Sequence, residues 1–270
     1  MAGLLSVTAL TLLMLLGSDA FTTSKVEKAV QLQFTYSGAM GPDKWASLNP
    51  NFSLCATGKL QSPINIVSDR AVRSTKLKAL VRDYRAVNVT LVDNKFTVAI
   101  EYPDDTGGIS VDEKQYALKQ MHWHSPSEHR INGKRFAAEL HMVHVSEDAK
   151  VVVVATLYQL GHPDPLLQTI YKKLNELASE YKSSEATAPI QVGVLEAAEL
   201  RTTPSKYYRY VGSSSVPPCA EHLVYIVLAQ ATSISKQQVA ALKAPLDIRC
   251  KYNARPCQPL NGRHVHLYHH

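Results

Sequence analysis

Beyond its amino terminus, this 270-residue sequence has no stretch long and apolar enough to cross a bilayer. It also lacks an internal repeat, a low-complexity linker or a composition break that would mark a domain boundary. Those absences exclude a membrane-spanning mature chain and a solenoid, and one domain is the economical reading. Cysteine is scarce, and the spacings of Cys55, Cys219, Cys250 and Cys257 match neither a zinc knuckle nor a CxxC redox motif. No block of one charge stands out: 29 Lys and Arg are interleaved with 23 Asp and Glu. A net charge of +6 spread this way serves solubility and excludes a nucleic-acid footprint. With 45% hydrophobic residues, the chain still has enough apolar material for a real core.

The amino terminus is the exception. Leu4 to Leu16 form an apolar run too short to span a membrane, and Gly17-Ser18-Asp19-Ala20 comes next as a small-residue cleavage pattern. Residues 1–20 are therefore expected to be a signal peptide, 21–35 an N-terminal segment with freedom to flex, and 36–270 the folded domain. In the oxidising compartment that such a peptide implies, four cysteines read as disulfides, with three pairings open. Two sequons, at Asn51 and Asn88, are candidate glycan acceptors.

Short β-patterned runs dominate the rest of the chain: Asn88 to Val92, Phe96 to Tyr102, Tyr116 to His124, Phe136 to Val145, Val151 to Leu160, Lys206 to Tyr210 and His222 to Leu228. Two helices are expected. One opens at Asp164-Pro165, with Leu167, Ile170, Leu174, Leu177 and Tyr181 at helical spacing; the other opens at Ser235. Lys182 to Pro189 is polar and reads as a surface loop.

Histidine is unevenly placed. None precedes His122, and then His122, His124, His129, His141 and His144 crowd together. Residues two apart on a strand share a face, so His122 and His124 present two imidazoles side by side. A hairpin turning at Asn132-Gly133 pairs residues whose numbers sum to 265, which sets His141 opposite His124. Three imidazoles from neighbouring strands can take three corners of a tetrahedron and leave the fourth for water. Gln120 and Glu139, each two residues before a histidine, lie on the same face and can accept the other ring N–H. His129 and His144 are expected to make structural hydrogen bonds. His264 and His266 lack a polar backer, and the chain end is expected to fray.

Five segments resemble one family: QSPINI at Gln61, QMHWHSPSEH at Gln120, AELHMVH at Ala138, YVGSSSVPPC at Tyr210 and NARPCQPLNGR at Asn253. The chain resembles the α-class carbonic anhydrases of the plant secreted type, among which are the tuber storage proteins called dioscorins. The resemblance implies a mainly β, α+β single domain, with a large twisted, mostly antiparallel central sheet and peripheral helices. It implies a zinc ion (Zn2+) on His122, His124 and His141, with Gln120, Glu139 and the Asn253 carbonyl behind them. Glu128 becomes the acceptor that orients the hydroxyl of Ser215. Cys55 and Cys219 match the family disulfide, which leaves Cys250 and Cys257 as a further pair. The implied activity is reversible hydration of carbon dioxide to bicarbonate by a zinc-bound hydroxide, in a monomer or dimer. The implied address is extracellular, or a plant compartment reached through secretion: vacuole, apoplast or chloroplast.

The chain departs from the family in two places. Where members usually read GSLTTPP it has Gly212-Ser213-Ser214-Ser215-Val216-Pro217-Pro218, and Tyr225 stands where a tryptophan is usual. Ser214, Val216 and Tyr225 make the substrate pocket wetter, although Val143, Val153 and Leu223 can still supply apolar wall. The segment around Asp93-Asn94-Lys95 also lacks the histidine that often relays protons; Asn94 cannot titrate, and an ordinary lysine is too basic to relay near neutrality. Hydration of reduced efficiency is expected. The competing reading is a dioscorin-like storage or binding protein with a vestigial zinc site. A serine hydrolase built on Ser213 to Ser215 is excluded by the lack of a GxSxG elbow.

Overall fold

Alternation along Val87–Asp93, with Val89 and Leu91 buried and Asn88 exposed, presses one face of a strand against a core. The same physics repeats along the chain. In the computed structural model, which describes residues 32–183, 188–196, 200 and 203–270, the strands are β1 (Asn65–Ile66), β2 (Val72–Arg73), β3 (Arg82–Tyr84), β4 (Val87–Asp93), β5 (Val98–Glu101), β6 (Gly107–Val111), β7 (Lys114–His124), β8 (Arg130–Ile131), β9 (Lys134–Arg135), β10 (Ala138–Val145), β11 (Val151–Leu160), β12 (Ile190–Leu195), β13 (Lys206–Ser213), β14 (Glu221–Leu228), β15 (Thr232–Ile234) and β16 (His266–His269). Helices are α1 (Trp45–Leu48), α2 (Leu54–Thr57), α3 (Pro165–Ser183) and α4 (Lys236–Lys243). The expected signal peptide, residues 21–31 and the middle of the 182–189 loop lie outside the described residues.

Thirteen of these strands form one mixed, mostly antiparallel sheet with the backbone order β12-β4-β5-β7-β10-β11-β14-β13-β16-β2. Its parallel joins are β11 with β14 and β15, and β16 with β2. A large, mostly antiparallel sheet with few helices is the expected architecture. On β10 and β11 the even-numbered side chains Leu140, Met142, Val152 and Val154 enter the main core, which α3 joins through Leu167, Ile170, Leu174 and Leu177. Burying each such leucine contributes about 2 kcal/mol. The odd-numbered face carries His141.

Three expectations need correction. Residues 32–35 are tied down, because Phe34 packs edge-on against Trp45, whose Nε1 donates to the Thr35 carbonyl at 2.8 Å. The C-terminal histidines do not fray: β16 pairs with β13 from Arg209↔His266 to Lys206↔His269, and ladder hydrogen bonds hold the end. Cys55 and Cys219 are joined, tethering points 164 residues apart, but Cys250 and Cys257 are free thiols. Cys250 is buried in the aromatic cluster of Tyr36 and Trp45, whereas the Cys257 sulfur lies 3.6 Å from the Glu128 carbonyl. The segment between them runs along the base of the site, its backbone and side chains bonded at Asn253 and Arg255.

Asn51 and Asn88 are both exposed.

Candidate metal centre

The Asn132-Gly133 turn forms where expected, with both residues in the left-handed region (φ 50° and 77°) that a two-residue hairpin turn demands. Around it Arg130 pairs with Arg135, a sum of 265. Further out the register changes. Five residues, 125–129, leave β7 for the turn, while only three, 136–138, return from it, so that Glu139 faces His124 and His141 faces His122. The expected His124–His141 pairing is therefore wrong by two residues. Because the slip is even, the three histidines, Gln120 and Glu139 stay on their expected face.

One row across the sheet reads Ala99, His122, His141, Ala155, Val227. Alanines on both sides leave room for the two rings. The three imidazole centroids lie 5.0, 5.2 and 4.7 Å apart, and one nitrogen from each falls within 4.8 Å of the others. The opposite nitrogens are all engaged. His122 Nδ1 meets Gln120 Oε1 at 3.1 Å, His124 Nδ1 meets the Asn253 carbonyl at 2.6 Å, and His141 Nε2 meets Glu139 Oε1 at 2.8 Å. Each partner is an acceptor, so each of those nitrogens carries the hydrogen and the inward one presents a lone pair. The inward Nε2 of His124 is buried without a hydrogen-bond partner. Neutral donors converging on one point, one of them orphaned, fit a tetrahedral zinc ion.

The supports are themselves held. Asn253 accepts from Ser125 N at 2.8 Å and donates to the carbonyls of Phe96 and Trp123. Glu139 accepts four hydrogen bonds, from both ring partners His129 and His141 and from the backbone N–H groups of Glu128 and His129. Burial works to raise its carboxyl, but His129 and His141 hold it well below the usual carboxylate range. Burial alone lowers His141 as well, and the Glu139 carboxylate more than offsets that, so His141 titrates above an ordinary histidine. His122 and His124 are lowered, first by burial and then by neighbouring histidines. His129, Glu139 and His141 also cluster, but with four hydrogen bonds on Glu139 this group is already satisfied without an ion.

His129 extends the chain inward: its Nε2 meets the Tyr210 hydroxyl at 2.6 Å, which meets Ser62 Oγ at 2.9 Å. Ser62 belongs to the QSPINI segment and Tyr210 to YVGSSSVPPC, but only the strand pairing reveals that they meet.

The next row of the sheet is Gln120, Val143, Val153, Tyr225, Tyr210. It forms the floor beside the histidines, and Leu223 lies two residues from Tyr225 on β14. Ser214, Ser215 and Val216 lie at the end of β13, where Ser214 N bonds the Ala220 carbonyl and the disulfide anchors Cys219. Glu128 Oε1 accepts from Arg255 N at 2.9 Å; its Oε2 lies 3.5 Å from His124 Nε2 and has no hydrogen-bond partner. Ser215 is buried, and Glu128 Oε2 takes no hydrogen bond from it. A tyrosine brings a polar group beneath the site that an indole would direct elsewhere.

His144 points to the opposite face. Its Nε2 meets the Tyr84 hydroxyl at 2.8 Å, and burial pushes its pKa down to about 3. An unfolded histidine titrates near 6.5, so the unfolded chain takes up this proton first and stability falls from pH 6.5 towards pH 3. By pH 5 the loss from this residue amounts to about 2 kcal/mol. His144→Gln is expected to flatten that limb of a urea-stability profile measured from pH 7 to 5; parallel profiles would contradict it.

The sequence profile of the eukaryotic-type carbonic anhydrases matches residues 40–269. The chain is 35% identical to alpha carbonic anhydrase 7 of Arabidopsis thaliana, over 94% of this chain and 90% of that one. Among solved structures it is similar to dioscorin complexed with ascorbate (TM-score 0.82, 35% identity, 87% of this chain and 98% of that one). It is also similar to the α-carbonic anhydrase of Thermovibrio ammonificans in complex with sulfanilamide (TM-score 0.75, 31% identity, 86% and 97%). The fold is thus the one that the α-class carbonic anhydrases and dioscorin share, as the resemblance in sequence implies.

Proposed function

Because the chain belongs to the eukaryotic-type carbonic anhydrase family, we propose that it catalyses the reversible hydration of carbon dioxide to bicarbonate and a proton, with a zinc ion held by His122, His124 and His141. The observation that carries this reading is the convergence of three inward ring nitrogens whose outward partners are all acceptors. A zinc ion there would supply Lewis acidity that lets water lose a proton near neutral pH.

The chain's own residues do the rest. Gln120, Glu139 and the Asn253 carbonyl hold the imidazoles in one tautomer and one orientation. Val143, Val153 and Leu223 offer carbon dioxide a dry wall. The Ser215 hydroxyl and Glu128, whose Oε2 lies 3.5 Å from His124 Nε2, would orient the attacking oxygen. Proton export is the weak point. Lys95 and Asn94 form the β4–β5 turn, with Asn94 N bonded to the Thr97 carbonyl, and no imidazole lies in that segment. Turnover in dilute buffer is therefore expected to rise several-fold when imidazole is added; a rate independent of buffer would contradict it.

The alternative, a dioscorin-like storage or binding protein, draws support from Ser214, Val216 and Tyr225 and from the lack of a relay histidine around Asn94. Elemental analysis with a hydration assay separates the two. Zinc near one per chain with sulfonamide-inhibitable hydration favours the enzyme, and zinc without hydration favours the alternative. Passage through the secretory pathway is supported by the Cys55–Cys219 disulfide, which oxidising compartments sustain. Among the described residues no helix is long and apolar enough to cross a membrane.

A further inference from the structure

Guanidinium groups are rarely buried without an acceptor, because desolvating a charge is costly unless something pairs with it. Arg82 on β3 is such a case. It is only 9% exposed, its Nε has no hydrogen-bond partner, and among the described residues no carboxylate pairs with it. Its same-strand neighbour Tyr84 is committed to His144. The Arg82 side chain lines a cavity of about 340 Å3 whose walls include Leu140, Thr156 and Tyr158. These are even-numbered positions of β10 and β11, so the cavity lies across the sheet from His141.

Leu140 and Tyr158 supply an apolar floor. Asp164 is the carboxylate in the wall, but its Oδ1 already accepts from Leu167 N at 2.9 Å, capping α3. Among the described residues, then, no acceptor is paired with the Arg82 guanidinium, and its Nε has no hydrogen-bond partner. A guanidinium fork matches a carboxylate in bidentate fashion, and the volume lies at the lower end of small-ligand pockets, which run from about 300 Å3 upward.

We propose that this cavity binds a small organic monoanion, a carboxylate on an apolar body of a few carbons, with Arg82 taking the carboxylate and the Leu140–Tyr158 floor taking the body. The site is separate from the histidine cluster and does not depend on how that cluster is used.

Isothermal titration of the full chain with hexanoate tests this, once on the protein as purified and once after dialysis against a chelator. Binding of equal strength in both states is expected, since the cavity lies on the other face of the sheet from any bound metal. Arg82→Met should weaken it at least tenfold, with carbon dioxide hydration unchanged. Hexanol, which lacks the charge, should bind at least tenfold more weakly than hexanoate. Arg82→Met should also raise the melting temperature of the ligand-free protein, as removal of an unpaired buried charge does. The proposal is overturned if hexanoate does not bind, if it binds Arg82→Met undiminished, if chelation abolishes binding, or if phosphate or bicarbonate competes while hexanol binds as well as hexanoate. Should Arg82→Met fail to fold, hexanol binding to the parent as tightly as hexanoate overturns it equally.

Discussion

His141→Ala is expected to leave a folded protein that retains no zinc through gel filtration and shows no hydration above background. His141 sits between two supports of the site. Its inward nitrogen is one of the three converging donors, and its outward nitrogen is anchored on Glu139, which also holds the loop of Glu128 and His129. Removing it takes away a ligand and leaves the Glu139 carboxylate with one partner fewer in a fully buried place. Loss of a residue that merely supports a ligand lowers metal affinity about 10- to 100-fold, and loss of the ligand itself should exceed that. Far-ultraviolet circular dichroism like that of the parent would show that the sheet survives. Zinc retained at one per chain would place the ion elsewhere and defeat the assignment.

Ser215→Ala should behave in the opposite way, keeping zinc at parental stoichiometry while hydration falls about 100-fold, the usual cost of losing one preorganised hydrogen-bonding group at a reacting centre. Ser215 does not ligate, so metal retention separates a role in orientation from one in the scaffold. An unchanged rate in Ser215→Ala would remove Ser215 from the reaction.

Much of the site is legible in the sequence because strand parity is robust. His122 with His124, and Glu139 with His141, need only the alternation of side chains, and the even slip in register leaves both pairs facing inward. The slip itself is invisible there, since it depends on how many residues the 125–129 excursion takes up relative to the returning 136–138 segment. Strand limits move for local reasons. β5 starts at Val98 because Lys95 turns the chain with positive φ and Phe96 packs against Phe34, and β13 runs on to Ser213 because β14 continues to pair with it. Long-range contacts are the least legible. The free state of Cys250 and Cys257, the pairing of β16 with β13, the Tyr210–Ser62 link and the burial of Arg82 all join segments whose meeting has no local signature.

X-ray absorption at the zinc edge of the purified protein bears most directly on the three-imidazole centre. A first shell of three nitrogens near about 2.0 Å, with imidazole outer-shell scattering and one further light atom, is the expected spectrum. A sulfur shell near about 2.3 Å, fewer than two imidazoles, or no zinc in protein prepared without chelator would contradict it.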